Sequence, residues 1–257
     1  MALEPWRIGI VVKIKQLTYN TRSFFIEVPE LEKFSFKPGQ FVTLDLPIHE
    51  KANKRWRSYS IANCPNDTNI FELCIEQFDE GLGSTYLFNK VTVGSQLTLR
   101  GPAGVFTLPD TVENDLFLIC TGTGIAPFRS MVQNLANKTI QHKNVYLIFG
   151  CQKPSDLLYA DELIELMNKL KGFTFYICYS KESVDNSNPF IRAGYVHQVY
   201  EEICDANKTA SAINPNESVV KPASFYLCGW QNMVDEAKKR LLALGYDKKS
   251  IHQELYG

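Results

Sequence analysis

The stretch that decides the fold of the second half of the chain is Cys120-Thr121-Gly122-Thr123-Gly124-Ile125-Ala126-Pro127. It ends an apolar segment that reads as a buried strand, Leu116–Thr121, and it opens a segment with helical periodicity, Ala126–Asn137. Backbone N–H groups and a helix N-terminus at such a turn attract anions, and glycine lets a phosphate approach the chain closely. Pro127 suits the first helical turn, where its missing N–H costs little.

The turn alone does not identify a ligand. The familiar dinucleotide-binding fingerprint has a third glycine where Pro127 stands, and an acidic residue about 20 residues further on for the ribose. Here the second predicted strand is followed by Gly150-Cys151-Gln152-Lys153, which contains no acid. A standard NAD-binding Rossmann domain is therefore not supported, and a tight connection without a ligand fits the turn equally well.

Apolar strands and helical segments continue to alternate after the turn. This alternation predicts an α/β domain with a five-stranded parallel sheet flanked by helices. The predicted strands are Leu116–Thr121, Val145–Phe149, Phe173–Ser180, Phe225–Cys228 and Ile251–Leu255, and the predicted helices are Ala126–Asn137, Asp156–Lys169, Tyr195–Ile203 and Asn232–Leu244. The polar, aperiodic stretch Asp205–Ala223 is predicted to be a long exposed loop.

The first half of the chain consists of short β-rich segments broken by turns, with one short helix. Their spacing predicts a closed β barrel, six-stranded, antiparallel and of Greek-key type. The predicted strands are Ile8–Leu17, Ser23–Val28, Gln40–Leu46, Ser58–Asn63, Ile70–Phe78 and Gln96–Arg100, and the helix is Ser84–Lys90. The pattern changes after Leu108-Pro109-Asp110, so the expected domains are 1–110 and 111–257.

The composition argues against several classes of function. A net charge of −1, from 27 basic and 28 acidic residues, indicates neither a nucleic-acid nor a membrane partner. No apolar run approaches the roughly 18 residues of a membrane-spanning helix, and the stretch Met1–Pro5 shows no secretory signal. The seven cysteines are odd in number and widely spaced, which argues against a disulfide framework, a zinc site or an iron–sulfur cluster. A cytoplasmic location is therefore expected, and no metal site.

The segment Arg57-Ser58-Tyr59-Ser60 would place a cation and an aromatic ring on one face of a strand, with small hydroxyls on the other. Taken alone, it fits a half-exposed strand with a snorkelling arginine and a packed tyrosine. Three other motifs of the chain change this interpretation. The motifs R-x-Y-S (57–60), G-x-x-S (81–84), G-T-G-I-A-P (122–127) and C-G (228–229) occur in one order. In this combination the chain resembles the ferredoxin–NADP reductase family of flavoproteins over nearly its whole length.

The resemblance implies that the barrel holds FAD. Arg57 would bind the flavin pyrophosphate, a task suited to a guanidinium. Tyr59 would lie against the isoalloxazine ring, and Ser60 would hydrogen-bond near N5, the atom that accepts hydride. Ser84 would cap the short helix and direct its hydroxyl to the pyrophosphate. The remaining implied contacts come from the backbone, with the amides of Gly83, Ser84 and Thr85 at the pyrophosphate and the segment Cys74, Ile75 and Glu76 along the ring edge and ribityl chain.

The resemblance also implies that the second domain binds the nicotinamide nucleotide. The turn residues Thr121, Gly122, Gly124 and Pro127 belong to this site. Cys228, followed by Gly229, would lie beside the nicotinamide, although a lone cysteine is more often a small buried hydrophobe. Met233 would line the same pocket or belong to the core, and Glu254 would polarise the site. Tyr256 would cover the flavin face, but the chain adds Gly257 where many members of the family end on the aromatic residue.

The choice between NADH and NADPH depends on cations that could bind a 2′-phosphate. Members of the resembled family that use NADPH often carry arginines after the second strand, after the third strand and slightly downstream. At the matching places this chain has Gln152, Ser180-Lys181-Glu182 and Gly194-Tyr195. Lys181 keeps a charge without the planar fork of arginine, and Glu182 beside it subtracts from the local field. Arg192 is close in sequence and could contribute. NADH is therefore slightly favoured.

The resemblance implies an NAD(P)H oxidoreductase in which hydride passes to the flavin and single electrons pass to a separate carrier. Ser60, Cys228 and Glu254 are its expected catalytic residues. A ferredoxin, a flavodoxin or an oxygenase component is the expected partner, and the basic run Lys51, Lys54 and Arg55 could face an acidic carrier or merely be solvated. Two alternatives stay open: a reductase of free flavin or of a metal complex, and a flavin-binding regulatory subunit without turnover.

Overall fold

The computed structural model describes residues 4–185, 187–210 and 218–256. The chain forms two compact units. The first comprises the chain up to Leu108 together with Ala126–Lys138, and the second comprises Pro109–Ile125 and the chain from Thr139 onward. Within the described residues, every helix is too short or too polar to cross a membrane.

The first unit is built on a six-stranded antiparallel sheet with the strand order β4-β3-β6-β1-β2-β5. Its strands are β1 (Trp6–Gln16), β2 (Thr21–Glu27), β3 (Phe41–Asp45), β4 (Trp56–Ser60), β5 (Ile70–Glu76) and β6 (Gln96–Ala103). This order confirms the predicted six-stranded antiparallel Greek-key arrangement. The sheet is barrel-like without full closure, because β4 ends at Ser60 and its continuation meets β5 at one bridge, Ile61 opposite Leu73.

The core of the first unit lies inside this curved sheet. Alternate strand residues such as Val42 and Leu44 are fully buried in one cluster, which also contains Leu87 and Phe88 of the short helix. That helix, α1 (Leu82–Lys90), begins two residues before the predicted start and closes one side of the core.

The second unit is built on a parallel sheet with the order β10-β9-β8-β7-β13-β14. Its strands are β7 (Asp115–Thr121), β8 (Val145–Cys151), β9 (Phe173–Tyr179), β10 (Ile191–Ala193), β13 (Ala223–Trp230) and β14 (Ile251–Tyr256). The predicted parallel α/β arrangement is confirmed, but the sheet has six strands where five were predicted. The additional strand, β10, has three residues, which is too short to produce a readable hydrophobic pattern.

Four helices follow strands of the second half: α2 (Ile125–Lys138), α3 (Ala160–Lys169), α4 (Val196–Ala206) and α5 (Gln231–Ala243). Helix α3 starts four residues later than the predicted Asp156, because a 3-10 turn at Pro154–Asp156 precedes it and Tyr159 adopts a left-handed φ of +56°. Such a backbone conformation cannot continue a right-handed helix.

The stretch Asp205–Ala223 is not one long loop. Asp205 and Ala206 complete α4, Thr209–Ala210 (β11) pairs antiparallel with Ser218–Val219 (β12), and Ala223 begins β13. Residues 211–217, which include the Asn-Pro-Asn sequence behind the loop prediction, lie outside the described residues.

Candidate cofactor-binding sites

Arg57 and the start of helix α1 meet in the first unit. A Cβ atom added to Gly83 would lie 2.9 Å from Cγ and 3.2 Å from Nε of Arg57, so the arginine stem is packed directly on this glycine. The Arg57 guanidinium donates through Nη1 to the carbonyls of Lys54, at 3.1 Å, and Trp56, at 2.8 Å. The fold therefore unites the two segments that the sequence analysis assigned to the flavin pyrophosphate.

The hydroxyl of Ser84 is engaged inside its own turn. Gly81, rather than Ser84, is the N-cap of α1, and Ser84 Oγ accepts from Phe78 N and donates to Gly81 O, each at 3.1 Å. The expectation that Ser84 caps the helix is therefore wrong, because the helix begins at Leu82 and places Ser84 in its first turn.

The first turn of α1 supplies backbone donors. The amide of Thr85 donates to Gly81 O at 2.9 Å and is used by the helix itself, which corrects its assignment to the pyrophosphate. The amides of Leu82, Gly83 and Ser84 precede the first intrahelical bond, so helix geometry gives them no acceptor within the helix. These three amides and the Arg57 side chain form an assembly that we call the Arg57 cradle.

The Arg57 cradle has the chemistry that a diphosphate requires. It combines a guanidinium, which can donate two parallel hydrogen bonds to a phosphate, with the positive end of a helix dipole. Gly83 allows the arginine stem to lie on the helix, since any side chain there would occupy the space of Arg57. The residues present thus fit the pyrophosphate of FAD.

Tyr59 and Ser60 follow Arg57 in β4. Tyr59 is half-buried and packs against the barrel core. Burial raises the pKa of the Tyr59 phenol to about 12, although the charge of Arg57 lowers it. The phenol therefore stays protonated at physiological pH and presents a neutral ring. Ser60 is buried and ends β4 opposite Phe41, next to the single bridge that joins the two edges of the sheet.

Strand β5 is an edge of the same sheet. Cys74 and Ile75 are buried, and Glu76 accepts a hydrogen bond from Asn20 Nδ2 at 2.9 Å. One side of β5 pairs with β2, and on the other side no strand of the described chain pairs with it apart from the bridge at Leu73. The backbone of these three residues therefore runs along a sheet edge, as a flavin-binding role would require, and that role stays a prediction.

The glycine turn of the second unit is shaped by close packing. Residues Gly122–Gly124 form a 3-10 turn between β7 and α2, and Pro127 lies in the first turn of α2. A Cβ atom on Gly124 would lie 2.4 Å from the carbonyl oxygen of Cys228. Gly229 has a φ of +134°, and its added Cβ would lie 2.4 Å from Thr121 Oγ1. Gly124 and Gly229 thus allow the turn and the end of β13 to touch, in addition to any role at a phosphate.

Replacing Gly124 with alanine is expected to destabilise the protein by about 3 kcal/mol, because the new methyl group meets backbone that cannot rotate away. Denaturant unfolding measures this loss. Gly150→Ala is the matched control, since its Cβ would meet a side chain, Val196 Cγ1 at 2.9 Å, and should cost about 1 kcal/mol. Equal stabilities of the two variants would contradict the packing role of Gly124.

Cys228 lies in the middle of a row of three neighbouring strands. It is fully buried, and its register partners are Cys120 of β7 and Glu254 of β14. Burial raises the pKa of the Cys228 thiol well above its ordinary value, Glu254 and Cys120 raise it further, and a hydrogen bond with Tyr256 offsets part of the rise. The thiol is therefore neutral, and Cys228, Glu254 and Tyr256 converge at the carboxyl end of the sheet. The covering of the flavin by Tyr256 stays a prediction, and Gly257 lies outside the described residues.

The ends of β8 and β9 also lie side by side. Ser180 N donates to Cys151 O at 3.0 Å, and Lys181 N donates to Gln152 O at 2.9 Å. This pairing places Lys181 and Gln152, both exposed, at one edge of the sheet. Met233, in the first turn of α5, is partly buried against the core of the unit.

Arg192 lies in β10 opposite Cys178, the penultimate residue of β9, and is therefore near the carboxyl end of the sheet, as Lys181 is. Burial is the main cause that raises the pKa of the Cys178 thiol to about 12, with smaller opposite effects of Arg192 and Glu202. A contribution of Arg192 to binding a 2′-phosphate stays a prediction.

The sequence analysis missed Arg129 of α2. Its Nη1 donates to Glu72 Oε2 at 2.8 Å and to Ala62 O at 2.9 Å, and both charged side chains are buried. Glu72 Oε1 also accepts from Ser23 Oγ at 2.5 Å, so the carboxylate has partners on both oxygens. An arginine within the mainly apolar run Ile125–Val132, which also contains Ser130, was the available signal.

The chain matches two family models. The oxidoreductase FAD-binding domain covers residues 9–108, and the oxidoreductase NAD-binding domain covers residues 118–239. The reductase component of propane 2-monooxygenase from Mycolicibacterium goodii is 30% identical over 246 residues, which is 96% of this chain and 66% of the relative. The chain spans 61% to 66% of the length of three such curated reductase components.

Solved structures show the same fold. The flavohem-like FAD/NAD-binding domain of nitric oxide dioxygenase from Vibrio cholerae aligns with a TM-score of 0.76 and 26% identity, over 98% of each chain. A ferredoxin NADP+ reductase from Neisseria gonorrhoeae, with bound FAD and NADP, aligns with a TM-score of 0.76 and 24% identity, over 97% of this chain and 98% of the other. These matches confirm the predicted family and its two cofactor classes, FAD and a nicotinamide nucleotide. The chain carries an FAD-binding and an NAD-binding domain and belongs to the ferredoxin–NADP reductase-like family of flavoproteins.

Proposed function

We propose that this chain is an FAD-dependent NAD(P)H oxidoreductase that passes single electrons to a separate carrier or oxygenase component. The observation that carries the proposal is the Arg57 cradle, in which the side chain of an arginine packs on the N-terminal turn of a helix from a distant segment. The oxygenase component is proposed because a relative is the reductase component of propane 2-monooxygenase.

The residues of the chain supply binding and orientation. Bound FAD would accept hydride and release single electrons. The Arg57 cradle would hold its diphosphate, and the neutral ring of Tyr59 would support the isoalloxazine from the barrel side. The backbone of Cys74, Ile75 and Glu76 would line the cofactor along the edge of β5, and Ser60 would donate a hydrogen bond near N5.

At the glycine turn, Thr121, Gly122, Gly124 and Pro127 would lie at the phosphates of the nicotinamide nucleotide. The neutral Cys228 thiol, paired with Glu254 and Tyr256, would position the nicotinamide by contact and would not act as a nucleophile. Gly229, Met233, Ser180 and Lys181 complete the proposed site.

We propose NADH as the preferred donor. Lys181 is an exposed cation without the planar fork of arginine at the edge where a 2′-phosphate would lie, and the carboxylate of Glu182 follows it directly. We expect kcat/KM for NADH to exceed that for NADPH at least about tenfold. The 2′-phosphate of NADPH would lack a bidentate arginine, and this absence costs about the free energy of one charged hydrogen bond. Steady-state kinetics measure the ratio.

The variant Glu182→Gln is the control for this preference. Removing the Glu182 carboxylate should raise kcat/KM for NADPH and leave kcat/KM for NADH unchanged. Only NADPH carries a 2′-phosphate, which the carboxylate would repel at this edge of the sheet. Equal use of the two nucleotides by the native protein would contradict the NADH assignment.

The partner of the proposed reaction is a small acidic electron carrier. Lys51 and Lys54 are exposed beside β4, whereas the charge of Arg55 is already offset by a two-point ion pair with Asp45 at 2.6 and 2.7 Å.

None of the seven cysteines, all within the described part of the chain, forms a disulfide. This supports a reducing cytoplasm as the proposed location.

NADH oxidation by the FAD-loaded protein with a one-electron acceptor such as ferricyanide tests the proposal. Turnover that depends on both FAD and the acceptor is expected. A flavin-loaded protein that leaves NADH and NADPH unoxidised would favour the alternative of a regulatory subunit. Turnover only with added free flavin as the acceptor would favour a free-flavin reductase.

A further inference from the structure

Trp230 exposes 53% of its side-chain surface at the end of β13. The chain has two other tryptophans, and both are used elsewhere: Trp6 and Trp56 contact each other at 5.6 Å, and Arg100 lies 4.7 and 5.2 Å from their ring centroids. Half of an indole left in water forgoes a substantial hydrophobic gain. An exposed indole at the end of a sheet where ligands bind is available for contact with a flat ring.

The backbone fixes where this indole stands. Trp230 is the last residue of β13 and the N-cap of α5, and its N–H donates to Thr121 Oγ1 at 3.3 Å. Its register partner on the other side is Tyr256. Trp230 therefore lies between the glycine turn and the C-terminal strand, at the carboxyl end of a parallel sheet, where ligands of such sheets bind.

We propose that Trp230 stacks on the nicotinamide half of the bound nucleotide. This inference rests on the proposed nicotinamide site, because Trp230 follows Cys228 by two residues at the same strand end. An indole offers a large, rigid face to a flat heteroaromatic ring at little entropic cost.

The stacking discriminates between the two redox forms of the nucleotide. The oxidised nicotinamide ring carries a positive charge and the reduced ring does not. Tryptophan is the most favourable aromatic partner for a cation over its face. Trp230 therefore stabilises bound NAD+ more than bound NADH. As a result, it slows the release of NAD+ relative to the release of NADH.

Titration calorimetry of the oxidised, FAD-loaded protein tests this inference without turnover. The probes are NAD+ and ADP-ribose, which lacks the nicotinamide ring. Trp230→Leu should weaken NAD+ binding about tenfold and leave ADP-ribose binding unchanged. Trp230→Phe, which keeps a smaller ring, should lie between the native protein and the leucine variant.

Leu255→Ala is the matched control, because Leu255 is an exposed apolar residue on the neighbouring strand and should not affect either probe. NADH binding, measured anaerobically with the apoprotein, should fall less than NAD+ binding in Trp230→Leu. Unchanged NAD+ affinity in Trp230→Leu, or an equal loss for ADP-ribose, would overturn the proposal. A native protein that binds neither nucleotide would instead refute the proposed function, so the two failures are distinguishable.

Discussion

Replacing Arg57 with alanine is expected to give a folded protein that binds FAD about 100-fold more weakly. The expectation follows from the Arg57 cradle, in which the guanidinium faces the first turn of α1 across Gly83. Two charge-assisted hydrogen bonds to a diphosphate contribute about 3 kcal/mol, which corresponds to that factor. The loss should appear in FAD affinity, measured by recovery of flavin fluorescence on dilution.

Arg100→Ala is the matched control for this variant. Arg100 lies in β6 of the same sheet and stacks on Trp6 and Trp56. Its replacement should therefore remove packing against these two rings, and it removes no member of the Arg57 cradle. We expect FAD affinity close to that of the native protein. Full flavin occupancy in purified Arg57→Ala would show that the pyrophosphate is held elsewhere.

Replacing Arg129 with methionine is expected to lower the free energy of unfolding by about 3 to 5 kcal/mol. The substitution keeps the stem and removes the guanidinium that pairs with the buried carboxylate of Glu72. Breaking a buried pair costs this much because the remaining charge is uncompensated. Ala62 O would lose its donor as well.

Two companion variants give this prediction a clear outcome. Arg240→Met removes two partly exposed pairs, with Glu236 at 2.7 Å and with Glu201 at 3.1 Å, and should cost about 1 kcal/mol. Adding Glu72→Gln to Arg129→Met should recover part of the lost stability, because it removes the stranded charge. If Arg129→Met and Arg240→Met unfold at the same denaturant concentration, the buried pair does not stabilise the first unit as described.

The sequence was sufficient for those parts of the fold that local periodicity determines. Strands β7, β8 and β13 are largely apolar runs, and their alternation with helical segments predicted a parallel sheet. Strand β10 was missed because three residues carry no period, and the start of α3 was misplaced because the left-handed conformation of Tyr159 has no signal in its residue type.

The candidate sites divide in the same way. The convergence of Cys228 and Glu254 follows from strands that end at one edge. The packing of Arg57 on Gly83 and the pairing of Arg129 with Glu72 depend on tertiary structure, so residue patterns alone did not contain them. Ser84 was misassigned because the position of a serine relative to the N-cap depends on the residue at which the helix begins. Residue propensities do not determine that start to within a few residues.

Anaerobic rapid mixing of the FAD-loaded protein with NADH, and with NADH deuterated at C4, tests the central claim most directly. The account predicts that the yellow flavin absorbance bleaches in a single turnover, and that the deuterated nucleotide bleaches it more slowly because a C–H bond breaks in that step. NADPH should bleach it more slowly than NADH. A flavin that stays oxidised with both nucleotides would contradict the account.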